Sequence, residues 1–158
     1  MPFQICPAAE ADLEAIEAIE VACFSLPWTR EQLLSQLPDE QHEFLTAKDD
    51  TGAVLGYVGM MTVLDEGYIS NVAVRPDCRR RGIADALIRE MLDAADRREL
   101  AFVTLEVRAG NEAAIALYAK HGFLPVGRRK NYYELPREDA ILMTKFLDRG
   151  ITNENTRL

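Results

Sequence analysis

Cysteine is scarce in this 158-residue chain, and the three that occur, Cys6, Cys23 and Cys78, are too scattered for a disulfide framework. They are odd in number, form no C-x-x-C pair and have no histidine at metal-ligand spacing, so reduced thiols and no bound metal are expected. Histidine is rarer still, with His42 and His121 alone. Neither is assigned a catalytic role, since His121 falls at a helix C-terminus, where partial positive charge is favourable in any case. No run approaches the ~18 apolar residues of a membrane span. No charged segment followed by an apolar one opens the chain as in a secretory signal, so a cytoplasmic protein without a membrane partner is expected. Basic residues are outnumbered 26 to 18, giving a net charge of −8. That balance disfavours nucleic acid as a partner and makes a basic substrate easier to attract. The Gly-Lys-Ser/Thr of a Walker loop and the G-x-G-x-x-G of a dinucleotide fold are both missing, as are internal repeats and linkers.

What is present is ample apolar content, 48% of the chain, enough for one continuous core. A single domain over residues 1–150 is expected, with residues 151–158 a polar, frayed tail. Phe3 to Cys6 reads as a short strand. Ala11, Leu13, Ile16, Ile19 and Cys23 recur at helical spacing. Phe24-Ser25-Leu26-Pro27-Trp28 breaks that pattern, and Thr29 with Gln32 resembles a capping box opening a second helix that stops before Pro38. Phe44 to Lys48 and Val54 to Val63 are strands joined by the turn Asp49-Asp50-Thr51-Gly52, and Tyr68 to Val74 continues the meander. Pro76 to Arg81 is a loop. Ile83, Leu87, Ile88, Met91, Leu92 and Ala95 keep a 3.6-residue period and predict a long helix. Phe102 to Val107 is a strand, Glu112 to His121 a helix stopped by Gly122, and Phe123 to Val126 and Ala140 to Phe146 are final strands. The class is α/β (α+β), one mixed sheet flanked by helices.

Three features carry chemistry. Arg79-Arg80-Arg81-Gly82-Ile83-Ala84 joins a strand to the long helix, a phosphate-binding layout in which unpaired first-turn N–H groups and the helix dipole meet a diphosphate. Alone, the pattern fits a solvated basic loop equally well. Glu106 stands near the carboxyl end of a strand expected to be covered by helices, where ligands bind in open α/β sheets and a carboxylate can act as general base. A solvent-facing Glu paired with Arg108 is the plainer alternative. Asn111 is a good N-cap, and Tyr118, seven residues on, lies within ~20° of the same helix face. Each has a bland reading, as a cap and as a half-buried aromatic.

Taken together, these residues resemble the GNAT acetyltransferases, whose hallmark is a strand followed by Q/R-x-x-G-x-G/A and a long helix. The match runs from Arg79 to Ala84 and on through Leu105-Glu106-Val107-Arg108, Asn111, Ala113-Ala114, Leu117-Tyr118 and Gly122-Phe123. Within that superfamily the chain is most similar to the RimI-type ribosomal-protein alanine N-acetyltransferases, through Pro27-Trp28-Thr29, Asn71-Val72-Ala73-Val74, Asn131-Tyr132-Tyr133 and Arg137-Glu138-Asp139-Ala140.

The resemblance implies the GNAT fold, a mixed sheet of about six or seven strands flanked by about four helices, with a splayed parallel pair holding acetyl-CoA. It implies that backbone groups of Val72, Ala73 and Val74 hold the pantetheine and thioester. Arg79, Arg80, Arg81, Gly82, Ile83, Ala84 and Asp85 would surround the diphosphate, and Asn111 would contact the cofactor. Glu106 becomes the base and Tyr118 the acid. Trp28, Tyr132 and Tyr133 are the substrate-facing residues, the two tyrosines with Arg128 to Lys130 forming a peptide-facing loop. The partners implied are acetyl-CoA and a ribosomal or other protein N-terminus. Ala84 in place of the commoner glycine stays within the pattern, whereas Asp85 adds a negative charge beside the phosphates. The Tyr133 to Arg137 connection is short. Lysine, polyamine or other small-amine acetylation by the same fold is the first alternative, and a non-catalytic acyl-CoA-binding regulator the second.

Overall fold

The computed structural model describes residues Pro2 to Leu147, so the expected tail at 151–158 lies outside the described residues. Seven strands form one mixed sheet: β1 (Gln4–Pro7), β2 (His42–Lys48), β3 (Val54–Val63), β4 (Glu66–Val74), β5 (Phe102–Arg108), β6 (Leu124–Tyr133) and β7 (Glu138–Phe146). Their order across the sheet is β1-β2-β3-β4-β5-β7-β6. Four helices accompany them: α1 (Leu13–Cys23), α2 (Arg30–Leu34), α3 (Ile83–Arg97) and α4 (Glu112–Lys120). No helix among the described residues is long and apolar enough to cross a membrane. The chain divides into two compact units, one of the residues up to Met61 with Ile69–Asp93, the other of Thr62–Tyr68 with the residues from Ala94 onward.

In the first unit, β1, β2 and β3 form an antiparallel ladder. The turn between β2 and β3 is built locally: the Asp49 carboxylate accepts from the N–H of Thr51 (2.9 Å) and of Ala53 (3.0 Å), and Gly52 takes φ +88°. That left-handed conformation is one glycine adopts without steric penalty. Leu13, Ile16 and Ile19 form the buried stripe of α1 and pack with Phe44 and Tyr57, whose rings meet edge to face at 5.7 Å. The capping box at α2 forms, with the Thr29 hydroxyl accepting from Gln32 N–H at 3.2 Å and the Gln32 side chain accepting from Thr29 N–H at 2.8 Å. The loop after β4 includes one 3-10 turn, Pro76–Cys78.

In the second unit, β4 and β5 run parallel over three rungs, Glu66 to Tyr68 against Phe102 to Thr104. Strand β7 pairs antiparallel with β5 and with β6. Strand β5 is not covered on both faces as expected, because its residues alternate. Val103, Leu105 and Val107 are buried, and Thr104, Glu106 and Arg108 lie on a half-open polar face. A second correction concerns β6, which continues past the expected end at Val126 to Tyr133. Arg128 to Lys130, Tyr132 and Tyr133 therefore lie on an edge strand and not in a loop. The connection from there to β7 is four residues, 134–137.

Candidate active site

Of the residues expected to hold the cofactor, those from Val72 to Val74 and from Arg79 to Asp85 belong to the first unit and Asn111 to the second. Val72, Ala73 and Val74 end β4, with Ala73 in the core. The loop from Arg79 to Gly82 takes left-handed backbone at two positions, Arg80 (φ +66°) and Gly82 (φ +78°), immediately before α3 begins at Ile83. Alternating hands of backbone turn successive N–H groups toward one side, the concavity in which anions sit. A Cβ placed on Gly82 would meet nothing within 4 Å, so the space beside this backbone is open. Gly82 O accepts the first helical bond, from Ala86 at 3.0 Å. The N–H groups of Ile83, Ala84 and Asp85 fall in the first turn, where an α-helix supplies no acceptor of its own. These features fit a diphosphate. Asp85 is ion-paired one turn on with Arg89 at 2.5 Å, which offsets the negative charge that Asp85 adds to this end of the helix. Arg79 donates to the Cys23 sulfur at 3.4 Å, and that thiol lies 3.5 Å from Val74 O, so the base of α1 meets the end of β4 here.

Trp28 belongs to the same unit. Its side chain packs against the core, and its backbone N–H donates to the Glu20 carboxylate at 2.7 Å. Glu20, which belongs to no motif in the sequence, is 1% exposed. It also accepts from Asn71 Nδ2 at 2.7 Å and from the Tyr57 hydroxyl. Burial pushes its pKa above the usual carboxylate range, against the three hydrogen bonds that lower it. The carboxylate ties the chain before α2 to the β4 residue that precedes Val72. An acid on the apolar side of an amphipathic helix was the available signal: Glu20 follows Ile19 directly, and Ile16 lies four residues before it.

The polar cluster around Glu106, the candidate base, belongs to the second unit and is assembled by strand register. Glu106 and Arg108 on β5 share a face with Leu142 and Ala140 on β7, and these pair in turn with Gly127 and Arg129 on β6. Ala140 and Gly127 present a methyl and no side chain, and the Arg129 side chain crosses that gap to place Nε 3.0 Å from Glu106 Oε2. Tyr68, paired with Thr104, lies on the same face and donates its hydroxyl to Glu106 Oε1. Tyr132 reaches the same oxygen at 3.4 Å. The Glu106 side chain is only 8% exposed. It pairs with Arg129, not with Arg108, whose guanidinium bonds Glu138 at 3.2 Å and covers the Tyr133 ring at 4.4 Å. Burial, reinforced by hydrogen bonding to Glu106, pushes the Tyr68 phenol far above its ordinary value, so it stays a donor.

Tyr118 is buried on α4, its ring 5.8 Å from that of Phe123. Burial pushes its pKa up to about 12. Tyr133 is likewise pushed up to about 12, chiefly by burial and against the Arg108 guanidinium beside it. Asn111 caps α4, accepting from Ala114 N–H at 3.1 Å. Glu138 braces that cap by accepting from Gly110 N–H at 2.6 Å. The structure thus brings Glu106, Tyr132 and Tyr133 together with Tyr68 and Arg129, neither of which the sequence singled out by itself. Their separations of 38 and 23 residues from Glu106 are closed only by register.

The model of the acetyltransferase (GNAT) family matches residues 13–123. The chain is 37% identical over 134 residues to the [ribosomal protein bS18]-alanine N-acetyltransferase of Escherichia coli K12, covering 84% of this chain and 89% of that protein. It is 32% identical over 132 residues to a Bacillus subtilis protein described as a putative enzyme of the same kind, covering 84% and 87%. Among solved structures, the ribosomal-protein-S18-alanine N-acetyltransferase of Escherichia coli superposes with a TM-score of 0.87 at 34% identity, covering 94% of this chain and 96% of that one.

Proposed function

The chain belongs to the GNAT family and is an acetyltransferase, and from that premise we propose that it acetylates a protein N-terminal α-amine, the N-terminal alanine of a small-subunit ribosomal protein. Acetyl-CoA supplies the activated acetyl thioester. The observation that carries the reading is the shielded Glu106 carboxylate on an otherwise neutral or cationic wall of Tyr68, Tyr132 and Arg129.

In this reading the backbone of Val72 to Val74 positions the thioester arm, and the amides from Gly82 to Asp85, with Arg79 to Arg81, hold the diphosphate. Asn111 contacts the cofactor. An N–H in the 72–74 segment donates to the acyl oxygen as charge develops on it. Glu106 accepts the proton of the incoming amine, directly or through one water. Little basicity is required, because an α-amine titrates near ~7.7 to 8.0, against ~10.4 for lysine. Tyr118 protonates the departing sulfur. Its raised pKa keeps the hydroxyl protonated at every physiological pH. Trp28, Tyr132 and Tyr133 bound the peptide, with Trp28 acting through the chain it anchors to Glu20.

The test is to incubate the protein with acetyl-CoA and alanine-initiated peptides whose α-amines are free or blocked, then locate the acetyl group by mass spectrometry. Label on the free α-amine is expected. Label confined to lysine would overturn the assignment.

A further inference from the structure

Glu106 faces a cation supplied by the protein itself, Arg129 Nε lying 3.0 Å from Glu106 Oε2. Its side chain is 8% exposed, and a carboxylate so shielded is poorly tolerated without a partner. Arg129 supplies one from an edge strand, through a side chain that is itself 55% exposed. The backbone carrying Arg129 is fixed. Asp139 accepts from Arg128 at 2.7 Å and from Asn131 N–H at 2.9 Å, clamping the irregular stretch of β6 in which Asn131 takes φ +53°. Beyond that anchor the Arg129 side chain is long, has several rotatable bonds and borders solvent, and the Tyr132 ring 5.8 Å away offers its guanidinium a face. An α-ammonium arriving at Glu106 carries the same charge and the same kind of N–H donor as Arg129 Nε.

Resting on Glu106 as the base, we propose that Arg129 is a specificity-determining residue whose guanidinium holds the position of the substrate's ammonium and is displaced by it. The exchange substitutes one cation for another on a single carboxylate, so Glu106 is not left as an uncompensated charge at any stage. A neutral N-terminus cannot make that exchange. The acetylated product therefore loses its hold on Glu106 as Arg129 returns, which favours release of product over substrate.

The test uses calorimetry on the full protein with coenzyme A present and two forms of one alanine-initiated peptide, α-amine free and α-amine acetylated. In Arg129→Met the competing cation is gone while the apolar stem remains. The free-amine peptide is expected to bind about fivefold more tightly than to the unsubstituted protein, the scale of a partly exposed ion pair. Binding of the acetylated peptide should not change, and Arg129→Lys should restore the original ratio. A ratio unmoved in Arg129→Met, or a parallel loss of both peptides, would overturn the proposal. Glu106→Gln separates the two layers: undiminished turnover in that variant means the base assignment has failed, whereas lost turnover alongside an unmoved Arg129→Met ratio means that only the exchange has.

Discussion

Tyr68 donates its hydroxyl to Glu106 from the last rung of the short parallel ladder between β4 and β5. The phenol is held protonated by burial and by the carboxylate it serves, so it fixes the orientation of Glu106, the proposed base, as a donor only. Glu106→Gln is expected to lower turnover by about 10²- to 10⁴-fold at pH 7, the range for a positioned proton acceptor. The deficit should narrow as pH rises past the amine's own pKa of ~7.7 to 8.0, because the substrate then arrives deprotonated. Initial rates for both proteins from pH 6 to 9.5 check this, and parallel profiles would remove Glu106 as the base.

Tyr118→Phe should lower turnover by about 10²-fold or more while coenzyme A affinity stays within twofold, if the hydroxyl delivers a proton to the leaving sulfur. With its pKa at about 12, Tyr118 remains protonated through the whole accessible range. The turnover profile should accordingly have no falling alkaline limb from this residue below pH ~11. A limb near pH 9 to 10 that vanishes in Tyr118→Phe would contradict the burial-raised value.

Signals that are local in the chain were legible in the sequence. The Thr29–Gln32 capping box, the Asp49–Gly52 turn and the long α3 period depend on residues within a few positions of one another, and each occurs where the pattern puts it. The sequence pattern ends strand β6 at Val126 because an edge strand buries little: its residues from Leu124 to Tyr132 are exposed, so the apolar alternation that announces a strand is missing, and charges such as Arg128 to Lys130 are tolerated there. Glu106 was visible as an acid among Val103, Leu105 and Val107. Its partners were not, since Tyr68 and Arg129 reach it only through the pairing of β4 with β5 and of β7 with both β5 and β6. The Glu20 cluster was hidden for the same reason, its partners Tyr57 and Asn71 lying 37 and 51 residues away.

Glu20 gives the stability of the protein a definite pH dependence. Its folded pKa lies above the unfolded value near 4.5, so between the two the native state binds more protons than the unfolded chain does. Its contribution to stability is therefore greatest at low pH and is lost as pH rises from about 4.5 through the folded pKa. Urea midpoints measured from pH 4 upward should show this component in the unsubstituted protein, and Glu20→Gln should abolish it. Tyr57→Phe, which removes a hydroxyl donor to a buried carboxylate, should cost about 1.5 to 3 kcal/mol above that window. A flat difference between the unsubstituted protein and Glu20→Gln across the range would mean that the carboxylate does not titrate with folding.

Gly56 on β3 sets how closely β4 approaches. A Cβ there would lie 2.8 Å from Ala73 O and 3.2 Å from Val74 Cα, both backbone atoms that cannot rotate aside. Gly56→Ala must therefore displace the strand end proposed to hold the thioester arm, and overpacking of this kind destabilises by about 1 to 3 kcal/mol. Gly59, on the same strand, is the natural control. The nearest atom to its added Cβ is the Ser70 hydroxyl at 3.3 Å, a side-chain group that can turn aside at the expense of one long 3.4 Å bond to Gly59 O. Coenzyme A affinity measured by calorimetry should fall in Gly56→Ala and stay close to that of the unsubstituted protein in Gly59→Ala. Equal affinities in the two variants would detach the position of Val72 to Val74 from cofactor binding, leaving the Arg79 to Asp85 segment and Asn111 to carry it.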